Sequence, residues 1–529
     1  MEVDNQLSDM LPSMSVPEFY RDKNIFLTGG SGFIGKVLIE KLLRSCPDVG
    51  AIYMLIRPKK GVAGHERVEK MFSLPLFEKL NKLRPDAKEK VVPILGDIVH
   101  HRLGISDSDR QLLQQNVHIV IHSAATVRFD EPLGLAVQMN VKPVEEIITL
   151  CREMHQLIVF CHISTAYSQC NLPADCTIQE QFYPMAIHPQ KVLDAVEWMS
   201  EDMLAKVTSD ILGNYPNTYT YTKAIAEWML EKDASDLPLL IIRPSIVTPA
   251  ISDPFPGWID NFNGVSGMIA AAGKGVLRAM LMDPSKKHDL VPVDLVSKCI
   301  ISAVWHYSVC KPSTTLICNC TSSHINPTSF DQMERACVEM FEKYPYNSIV
   351  RRPNFGFVHN TLFHKYWTVV SHYLPAIVAD GASMMIGKPP RFTGIYNNLH
   401  KNISVLDFFI LNEWRWNAKN FNQILKSIGD EDKESFSFDM SVIDWEQYYA
   451  SMTLGVKLYL IKDNLADLPK AFQLKQRYKL VRWISSTIMT LLACRFFFLK
   501  SANFRRLWFE VLFGIYRVLR FLNIANPSI

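Results

Sequence analysis

The sequence predicts an α/β fold in which a doubly wound parallel sheet is followed by a mostly helical domain and a membrane-associated tail. Three observations support this prediction. Short apolar runs alternate with charged, helix-favouring stretches in the first half of the chain. Strand-like runs become rare from about residue 355, and the residues from 471 onward combine apolar runs with an excess of positive charge. Alternating strands and helices are typical of a parallel sheet covered on both faces.

Six apolar runs are predicted to be strands of the sheet. They are Asn24–Thr28, Ala51–Ile56, Val91–Leu95, His118–Ile121, Leu157–Ile163 and Leu239–Ile242. A helix is predicted over Gly35–Ser45, because its apolar residues recur at helical spacing on one side. We therefore expect the doubly wound part to extend from residue 20 to about residue 270.

The later part of the chain predicts helices, and Leu406–Trp416 and Val442–Met452 are the clearest examples. The predicted organisation has four parts. These are an N-terminal extension over residues 1–19, a nucleotide-binding domain with a substrate-binding part over 20–350, a helical domain over 357–465, and the basic apolar tail over 471–529.

Charge and cysteine content exclude several classes of protein. The 56 basic and 53 acidic residues leave a net charge of +3, which divides into +9 for the tail and −6 for the rest. A mildly acidic globule argues against a dedicated nucleic-acid-binding protein. The eleven cysteines show no CxxC pair, so we expect reduced thiols and no disulfide framework. The composition is compatible with a monomer or a homo-oligomer.

The tail allows two interpretations. Its uncharged segment between Arg482 and Arg495 has only 12 residues, whereas a spanning helix needs about 20. A second apolar piece, Leu507–Tyr516, contains Glu510. One interpretation is a packed pair of core helices. A membrane anchor or interfacial hairpin is favoured, because basic flanks and the aromatic residues Trp483, Trp508 and Tyr516 suit a membrane interface. Whether the tail spans the membrane or lies in it stays open.

A glycine-rich turn follows the first predicted strand and precedes the first predicted helix. It comprises Thr28, Gly29, Gly30, Ser31, Gly32, Phe33, Ile34 and Gly35. The glycines fit either GxGxxG or TGxxGxxG. In both registers the backbone can approach a pyrophosphate at a helix N-terminus, so a dinucleotide site in a Rossmann-type sheet is predicted.

The ends of the next strands bear on the choice of cofactor. Arg57 closes the second strand, where an NAD enzyme would carry an acidic residue, and Lys59 and Lys60 follow it. Basic residues can pair with a 2′-phosphate, so NADPH is the predicted cofactor. Further contacts are predicted at the ends of the third and fourth strands, from Asp97, Ile98, Ala124, Ala125 and Thr126.

Tyr219 and Lys223 form a YxxxK pair whose side chains leave the same face of a helix. A free tyrosine has a pKa of about 10, and a neighbouring ammonium would lower it. Tyr219 is therefore predicted to donate a proton to a carbonyl oxygen that is being reduced. A second match, Tyr307 with Lys311, lies outside the predicted nucleotide site, and we interpret Tyr307 as a packing residue.

The fifth predicted strand ends in hydroxyl-bearing residues. Thr165 and Ser164 could each hydrogen-bond a substrate oxygen there, and Thr165 is favoured. His162 is predicted to face the core. Neither a Ser-His-Asp arrangement nor a set of metal ligands competes with this interpretation, and no metal is expected.

Longer strings then resemble a known family. TGGSGFIG, AATVRF, HISTAY, NTYTYTKAIAE and RPSIV resemble the extended short-chain dehydrogenases/reductases. PFPGWIDNFNG (254–264), DLVPVD (289–294), the tryptophan-rich C-terminal part and the basic apolar tail resemble, more specifically, the animal fatty acyl-CoA reductases. The resemblance extends from about residue 16 to residue 529.

The resemblance implies two successive NADPH-dependent hydride transfers, which convert a long-chain fatty acyl-CoA to an aldehyde and then to a primary alcohol for ether-lipid or wax synthesis. It assigns proton donation to Tyr219, electrostatic support and a ribose contact to Lys223, and oxygen binding to Thr165. Pro244, Ser245, Ile246 and Val247 would lie beside the nicotinamide. It also implies a C-terminal anchor in the peroxisomal membrane, with the catalytic domain facing the cytosol.

Two alternatives stay open from the sequence. A sugar epimerase or sterol dehydrogenase on the same fold would use NAD and release no CoA, and Arg57 argues against it. A membrane scaffold without activity would not need the Tyr219–Lys223 pair, which is intact.

Overall fold

A seven-stranded parallel sheet forms the centre of the N-terminal part of the chain. The computed structural model describes residues 14–59, 61–353 and 355–521. The strands are β1 (Ile25–Thr28), β2 (Ile52–Ile56), β3 (Val91–Leu95), β4 (Ile119–His122), β5 (Val159–Ile163), β6 (Leu239–Pro244) and β7 (Leu316–Cys320). Their order is β7-β6-β5-β4-β1-β2-β3, and every neighbouring pair is parallel. The sheet is therefore doubly wound, as predicted. The chain adds strands β2 and β3 on one side of β1 and strands β4 to β7 on the other, so the strand order reverses between β1 and β4.

All six predicted strands are present, and β7 is the strand that the sequence analysis missed. Its residues Leu-Ile-Cys-Asn-Cys mix apolar side chains with an amide, so they form no clear apolar run. Asn319 is nevertheless buried, because its side-chain amide donates to the carbonyl oxygens of Asn417 and Ile178. These hydrogen bonds satisfy the amide N–H donors of Asn319 and connect the sheet edge to the C-terminal part.

Helices cover both faces of the sheet. In chain order they are α1 (Val16–Tyr20), α2 (Phe33–Ser45), α3 (Gly64–Phe72), α4 (Glu78–Leu83), α5 (Asp107–Asn116), α6 (Leu133–Asn140), α7 (Lys142–Glu153), α8 (Pro189–Trp198), α9 (Glu201–Leu212), α10 (Thr218–Asp233), α11 (Gly264–Gly273), α12 (Val293–Cys310) and α13 (Phe330–Lys343). Side chains of β1 alternate between the two faces, since Ile25 and Leu27 join one core cluster and Phe26 joins the other. Tyr307 is buried in the first of these clusters, on α12.

The C-terminal part is mostly helical. Its helices are α14 (Thr361–Trp367), α15 (Leu374–Met385), α16 (Phe392–Ser404), α17 (Asp407–Leu411), α18 (Lys419–Lys426), α19 (Asp430–Phe436) and α20 (Trp445–Gly455). Phe421, Phe436 and Met452 belong to the same core cluster as α2 and α12, and the Tyr448 hydroxyl donates to the Pro249 carbonyl oxygen over 2.6 Å. Side chains of the sheet and of the helical part therefore share one continuous core.

Four pairs of short strands connect loops. They join Ile246–Thr248 to Leu290–Pro292, Lys287–His288 to Thr328–Ser329, Ala279–Leu281 to Gly356–Val358, and Thr177–Ile178 to Arg415–Trp416. The last pair corrects the prediction of one helix over Leu406–Trp416. The helical part of that segment is α17, whereas Arg415–Trp416 is a strand, because it pairs with Thr177–Ile178 and Trp416 donates its indole N–H to the Ala166 carbonyl oxygen.

The tail forms two helices, α21 (Leu468–Lys500) and α22 (Ala502–Phe521). Only the first turns of α21 pack on the globule: Ala471 is buried, and Lys475 pairs with Glu342 at 2.7 Å. Large apolar side chains further along α21, such as Trp483 and Met489, are exposed. The interpretation as a packed pair of core helices is therefore wrong. The segment Leu465–Lys500 is long and apolar enough to cross a membrane, with a mean hydropathy of 1.3 in its most apolar window.

Candidate active site

The glycine turn lies at the carboxyl edge of the sheet, between β1 and the N-terminus of α2. Gly29 has a φ of +75°, and a Cβ atom there would lie 2.8 Å from the Ala124 nitrogen. A Cβ atom on Gly35 would lie 2.6 Å from the Gly30 Cα atom. Glycine is therefore required at both positions. Gly32 is the N-cap of α2 and provides no side-chain hydrogen bond to its first N–H groups.

Thr28 braces this turn against the end of β4. Its buried hydroxyl lies 2.7 Å from His122 Nδ1 and accepts hydrogen bonds from the main-chain N–H groups of Ser123 and Ala124, each over 3.2 Å. The side chain thus joins the two strand ends between which the order of the sheet reverses. A ligand crevice is expected at such a point.

The residues predicted from β2, β3 and β4 lie along the same edge. Arg57 and Lys59 are exposed beyond the end of β2, and the Arg57 carbonyl oxygen accepts a hydrogen bond from Arg67. Lys60 lies outside the described residues. Asp97 is partly exposed and receives the Val99 N–H, and Ile98 beside it is partly exposed.

Hydrogen bonds to Asn140 on α6 fix the small residues that follow β4. Ala124 and Ala125 are partly exposed, whereas Thr126 is buried. Asn140 on α6 accepts the Thr126 N–H over 2.8 Å, and its own amide group donates to Thr222 on α10 over 3.0 Å. Asn140 therefore connects the loop after β4 to the helix that carries Tyr219.

Tyr219 and Lys223 lie on the first two turns of α10, which packs beside the end of β5. Asn217 caps this helix by accepting the Thr220 N–H. The Thr165 hydroxyl lies beside the Tyr219 hydroxyl and donates to the Pro244 carbonyl oxygen over 3.4 Å. Lys223 is buried, and its Nζ atom donates to the Ile163 carbonyl oxygen over 2.7 Å. The structure thus brings together three of the four predicted catalytic side chains at the end of one strand.

The fourth predicted catalytic side chain, that of Ser164, contacts Glu227 instead of Tyr219. Its buried hydroxyl donates to the Glu227 carboxylate, and so does that of Ser168, over 3.1 Å. Ser164 is therefore engaged in the support of the site, whereas Thr165 is the hydroxyl that meets Tyr219.

Burial changes the pKa values of the pair. It raises the pKa of Tyr219 to about 12, against the smaller lowering effect of the neighbouring Thr165 hydroxyl. It lowers the pKa of Lys223 to about 8, although the negative charge of Glu227 acts in the opposite direction. The YxxxK spacing predicts a lowered tyrosine pKa, whereas in the structure the pKa is raised because desolvation disfavours the phenolate. Tyr219 therefore keeps its proton at neutral pH and can donate it.

A buried ion pair beneath the site was missed by the sequence analysis. Arg243 on β6 meets the Glu227 carboxylate through two nitrogens, over 2.6 and 2.9 Å, and both side chains are almost completely buried. Arg243 also donates to the carbonyl oxygens of Gln179 and Gln181. Glu227 follows Tyr219 and Lys223 at intervals of four residues on α10. That spacing is the signal that could have identified it.

The segment after β6 borders the same edge. Pro244 ends β6, and Ile246 and Val247 are partly exposed. Ser245 between them is buried, and its hydroxyl donates to the Asp289 carboxylate. Asp289 also accepts the main-chain N–H groups of Ser322 and Ser323, over 3.0 and 2.8 Å. This carboxylate, at the start of the DLVPVD string, thus holds three chain segments together.

His162 faces the interior, as expected. It is fully buried on β5 beside His122, and neither of its ring nitrogens has a hydrogen-bond partner among the described residues. Burial, helped by the charge of Lys223, holds its pKa well below the usual range. His162 is therefore a neutral core residue.

Aromatic side chains from both parts of the chain cover Tyr219. Phe129 stacks on the Tyr219 ring at a centroid distance of 5.6 Å, and Phe409 on α17 lies 5.2 Å from Phe129 and 5.2 Å from Tyr167. Trp414 and Trp416 lie 5.3 and 5.5 Å from Tyr167. This aromatic cluster gives the site an apolar wall built partly by the helical part.

The described residues fit a nicotinamide dinucleotide. The close main-chain contacts at Gly29 and Gly35 leave no room for side chains there, and the N-terminus of α2 has no side-chain cap. Backbone N–H groups at such a helix end bind phosphate oxygens. Arg57 is exposed on the neighbouring strand, where a ribose would be bound.

Two family models match the chain. An NAD-binding model described as male sterility protein matches residues 27–300, and a second model with the same description matches residues 371–463. The first extends from β1 into α12 and includes the site described above but not β7, and the second lies in the helical part.

Relatives match over nearly the whole length. The chain is 38% identical to fatty acyl-CoA reductase 1 of Homo sapiens over 513 residues, which cover 97% of this chain and 99% of the relative. It is also 38% identical to fatty acyl-CoA reductase 1 of Gallus gallus, over the same shares of the two chains. Fatty acyl-CoA reductase 2 of Homo sapiens is 38% identical over 512 residues, with 97% and 99% covered.

Solved structures share the fold. The terminal R domain from the myxalamid PKS-NRPS biosynthetic pathway matches with a TM-score of 0.55 and 19% identity, covering 83% of this chain and 91% of that chain. The reductase domain of a nonribosomal peptide synthetase from Mycobacterium tuberculosis matches with a TM-score of 0.55 and 18% identity, covering 85% and 96%.

Proposed function

This chain belongs to the fatty acyl-CoA reductase family, and on that premise we propose that it reduces long-chain fatty acyl-CoA to fatty alcohol with NADPH at a membrane. The observation that carries this proposal is the position of Tyr219, Lys223 and Thr165. They meet at the carboxyl edge of the sheet, next to the glycine turn and under an apolar wall. That arrangement can polarise a carbonyl group and protonate its oxygen beside an acyl chain.

The proposed roles follow from the state of each side chain. A bound nicotinamide supplies the hydride for each of the two reductions. The hydroxyl of Thr165 orients the substrate oxygen, and the protonated phenol of Tyr219 gives its proton to that oxygen. Lys223, held by the Ile163 carbonyl oxygen, supports the phenolate that is left. In the first reduction the carbon–sulfur bond then breaks, the new hydroxyl group loses its proton as the carbonyl group of the aldehyde forms, and the sulfur takes up a proton so that CoA leaves as the thiol. In the second reduction the aldehyde takes up a hydride and a proton and becomes the alcohol.

The other predicted binding residues keep their roles as part of the proposal. Residues 28–35 bind the pyrophosphate, and Arg57 with Lys59 pairs with the 2′-phosphate. Asp97, Ile98, Ala124, Ala125 and Thr126 border the adenine and ribose. Residues 244–247 lie beside the nicotinamide. The division into 20–350, 357–465 and 471–529 is likewise proposed, as is a peroxisomal membrane with the catalytic part facing the cytosol.

The activity is tested by NADPH oxidation with palmitoyl-CoA, with free CoA and hexadecanol both measured. We expect two molecules of NADPH to be consumed for each alcohol formed, because two hydrides are needed to convert a thioester to an alcohol. A folded, NADPH-binding preparation that forms neither product would refute the proposal. An epimerase or sterol dehydrogenase would release no CoA from this substrate.

The choice of cofactor is tested at Arg57. Replacing it with aspartate (Arg57→Asp) should weaken NADPH binding about tenfold to a hundredfold and leave NADH binding almost unchanged, since a charged hydrogen bond to the 2′-phosphate is replaced by repulsion. Dissociation constants measured by fluorescence titration would show this. The conservative variant Arg57→Lys should retain the preference for NADPH. Equal losses for both cofactors would contradict the role of Arg57.

The tail is tested by a chain that ends at Lys479. This end point keeps the packed turns of α21, which contain Ala471 and Lys475, and removes the exposed apolar part. We expect the full chain to resist alkaline carbonate extraction from membranes and the shortened chain to be released with its reductase activity retained. Retention of the shortened chain in the extracted membranes would place the anchor elsewhere.

A further inference from the structure

The segment of the C-terminal part that runs from α14 to α15 buries polar side chains and exposes large apolar ones. Along α14, the π-turn Thr368–Tyr373 and α15, the buried residues are His372, Ala376 and Asp380. The large apolar side chains face outward instead. Leu362 is 76% exposed, Val378 64% and Met385 90%. A surface helix of a soluble protein normally turns its apolar side inward, so this face is built for an apolar surrounding.

The inward polar groups have structural partners. Asp380 accepts the N–H groups of Arg391, Phe392 and Thr393 over 2.7 to 2.9 Å and so caps α16. The Nε2 atom of His372 accepts a hydrogen bond from the main-chain N–H of Arg278 over 3.1 Å. The orientation of these helices is therefore set by hydrogen bonds on the inner side, and the outward apolar face cannot rotate inward without breaking them.

An arginine cluster lies beside the inner side of these helices, where Tyr396 stacks on His372. Arg351 donates to the Tyr396 hydroxyl over 2.6 Å, and the Tyr396 hydroxyl in turn donates to the carbonyl oxygen of Val276, two residues before Arg278. Burial, together with the smaller effects of the charges of Arg351, Arg482 and Arg352, lowers the pKa of the Arg278 guanidinium to about 10. Among the described residues the Arg278 side chain has no ion-pair partner. The cluster is therefore a concentration of positive charge that is only partly compensated.

The tail reaches the same place. Lys475 on α21 pairs with Glu342, which also pairs with Arg352 at 3.2 Å. Arg482 lies two turns further along α21 and is the member of the cluster that comes from the tail. The apolar run of the tail begins at the next residue, Trp483. The tail and the arginine cluster thus adjoin, and the helices that carry the apolar face contact the same cluster through His372.

We propose that the outward face of residues 361–386 lies in the interface of a bilayer as a second membrane contact, and that Arg278, Arg351 and Arg482 bind phosphate groups of its anionic phospholipids. This inference rests on the proposed attachment of the tail to the membrane. Apolar helices rimmed by basic side chains insert at this depth, and arginine binds phosphate oxygens well. A soluble protein partner would need acidic groups opposite the arginine cluster and is the alternative that the test must exclude.

The contact would connect the membrane to the active site. Helix α16, capped by Asp380, carries Lys401, which pairs with Asp130 at 3.2 Å. Asp130 is the neighbour of Phe129, whose ring stacks on Tyr219. A single helix therefore joins the proposed membrane face to the rim of the site, where an acyl chain leaving the bilayer would arrive.

Fluorescence quenching in vesicles tests the position of this face in the full chain. An environment-sensitive dye is attached to a single cysteine at Met385→Cys, Met489→Cys or Leu83→Cys, after Cys176, Cys310 and Cys494 have been replaced by serine. All three positions are exposed, and Leu83 lies on α4, next to the sheet. The vesicles contain phosphatidylcholine, phosphatidylserine and a lipid with a spin label near its headgroup.

We expect quenching at position 385 to be several-fold stronger than at position 83. Strong quenching at 489 without quenching at 385 would overturn the inference and leave the tail proposal intact, and quenching at neither would refute both. Blue-shifted emission at 385 that is insensitive to the spin label would indicate a protein partner and also overturn the inference.

The arginine cluster is tested with the same probe at position 385. Arg482→Gln and Arg278→Gln should each reduce the quenching in vesicles with phosphatidylserine and have little effect in pure phosphatidylcholine. Lys206→Gln removes an exposed charge from α9 and is the matched control, which should behave as the parent protein. An equal response of all three variants would overturn the assignment of the arginines. Arg482 is exposed, so its replacement avoids the effects on folding that replacing the half-buried Arg278 could have.

Discussion

Replacing Tyr219 with phenylalanine should lower the rate of acyl-CoA reduction by about a hundredfold to ten-thousandfold, the usual contribution of a general acid. The ring would still stack on Phe129, so the apolar wall stays in place. Only the hydroxyl that meets Thr165 and carries the transferred proton is removed. Initial rates with palmitoyl-CoA and NADPH measure this effect, and cofactor titration should show nearly unchanged binding of NADPH.

The second YxxxK match offers an internal control. Tyr307 is buried on α12 in the core, and Lys311 lies beyond the end of that helix. Tyr307→Phe should therefore leave turnover close to that of the parent enzyme. Substantial turnover by Tyr219→Phe would move proton donation to another residue.

Replacing Glu227 with glutamine should lower the free energy of unfolding by about 3–5 kcal/mol, because it leaves the Arg243 charge buried without a counter-charge. Arg243 is completely buried, and its remaining partners are the neutral carbonyl oxygens of Gln179 and Gln181. The lost negative charge would also lower the pKa of Lys223 further, since Glu227 raises it. Urea denaturation followed by tryptophan fluorescence measures the change in stability.

A surface pair provides the comparison for this effect. Glu78 and Lys82 lie 2.6 Å apart, the same distance as Glu227 and Arg243, but both are largely exposed. Glu78→Gln should leave the stability nearly unchanged, because solvent screens the pair. The double variant Glu227→Met with Arg243→Met should regain much of the lost stability, since it removes both buried charges. Similar costs for Glu227→Gln and Glu78→Gln would contradict the structural role.

Several features could be predicted because they depend on neighbours in the sequence. Strands β1 to β6 are mostly apolar runs of four to six residues, and a strand that is buried on both faces needs little else. The glycine turn was recognisable because its backbone conformation and close contacts exclude side chains at fixed positions. The Tyr219–Lys223 pair follows from the period of a helix, which places residues four apart on one face.

Other features depend on partners that are distant in the sequence. Asn319 in β7 is buried only because Ile178 and Asn417 accept its hydrogen bonds, and Arg415–Trp416 is a strand only because Thr177–Ile178 lies alongside. The pKa of Tyr219 likewise depends on the burial of its hydroxyl by the folded chain more than on its neighbours along the helix.

The sequence by itself determined six of the seven strands, the glycine turn and the position of Tyr219 and Lys223 on one helix face, since each of these arises from local spacing. Only the tertiary structure decided which hydroxyl meets Tyr219, how the buried charge of Arg243 is balanced, and that residues 361–386 turn their apolar side outward. These outcomes are set by hydrogen bonds and ion pairs between segments that are far apart in the chain. Such bonds are strong where water is excluded, and which groups are excluded from water is known only once the chain has folded.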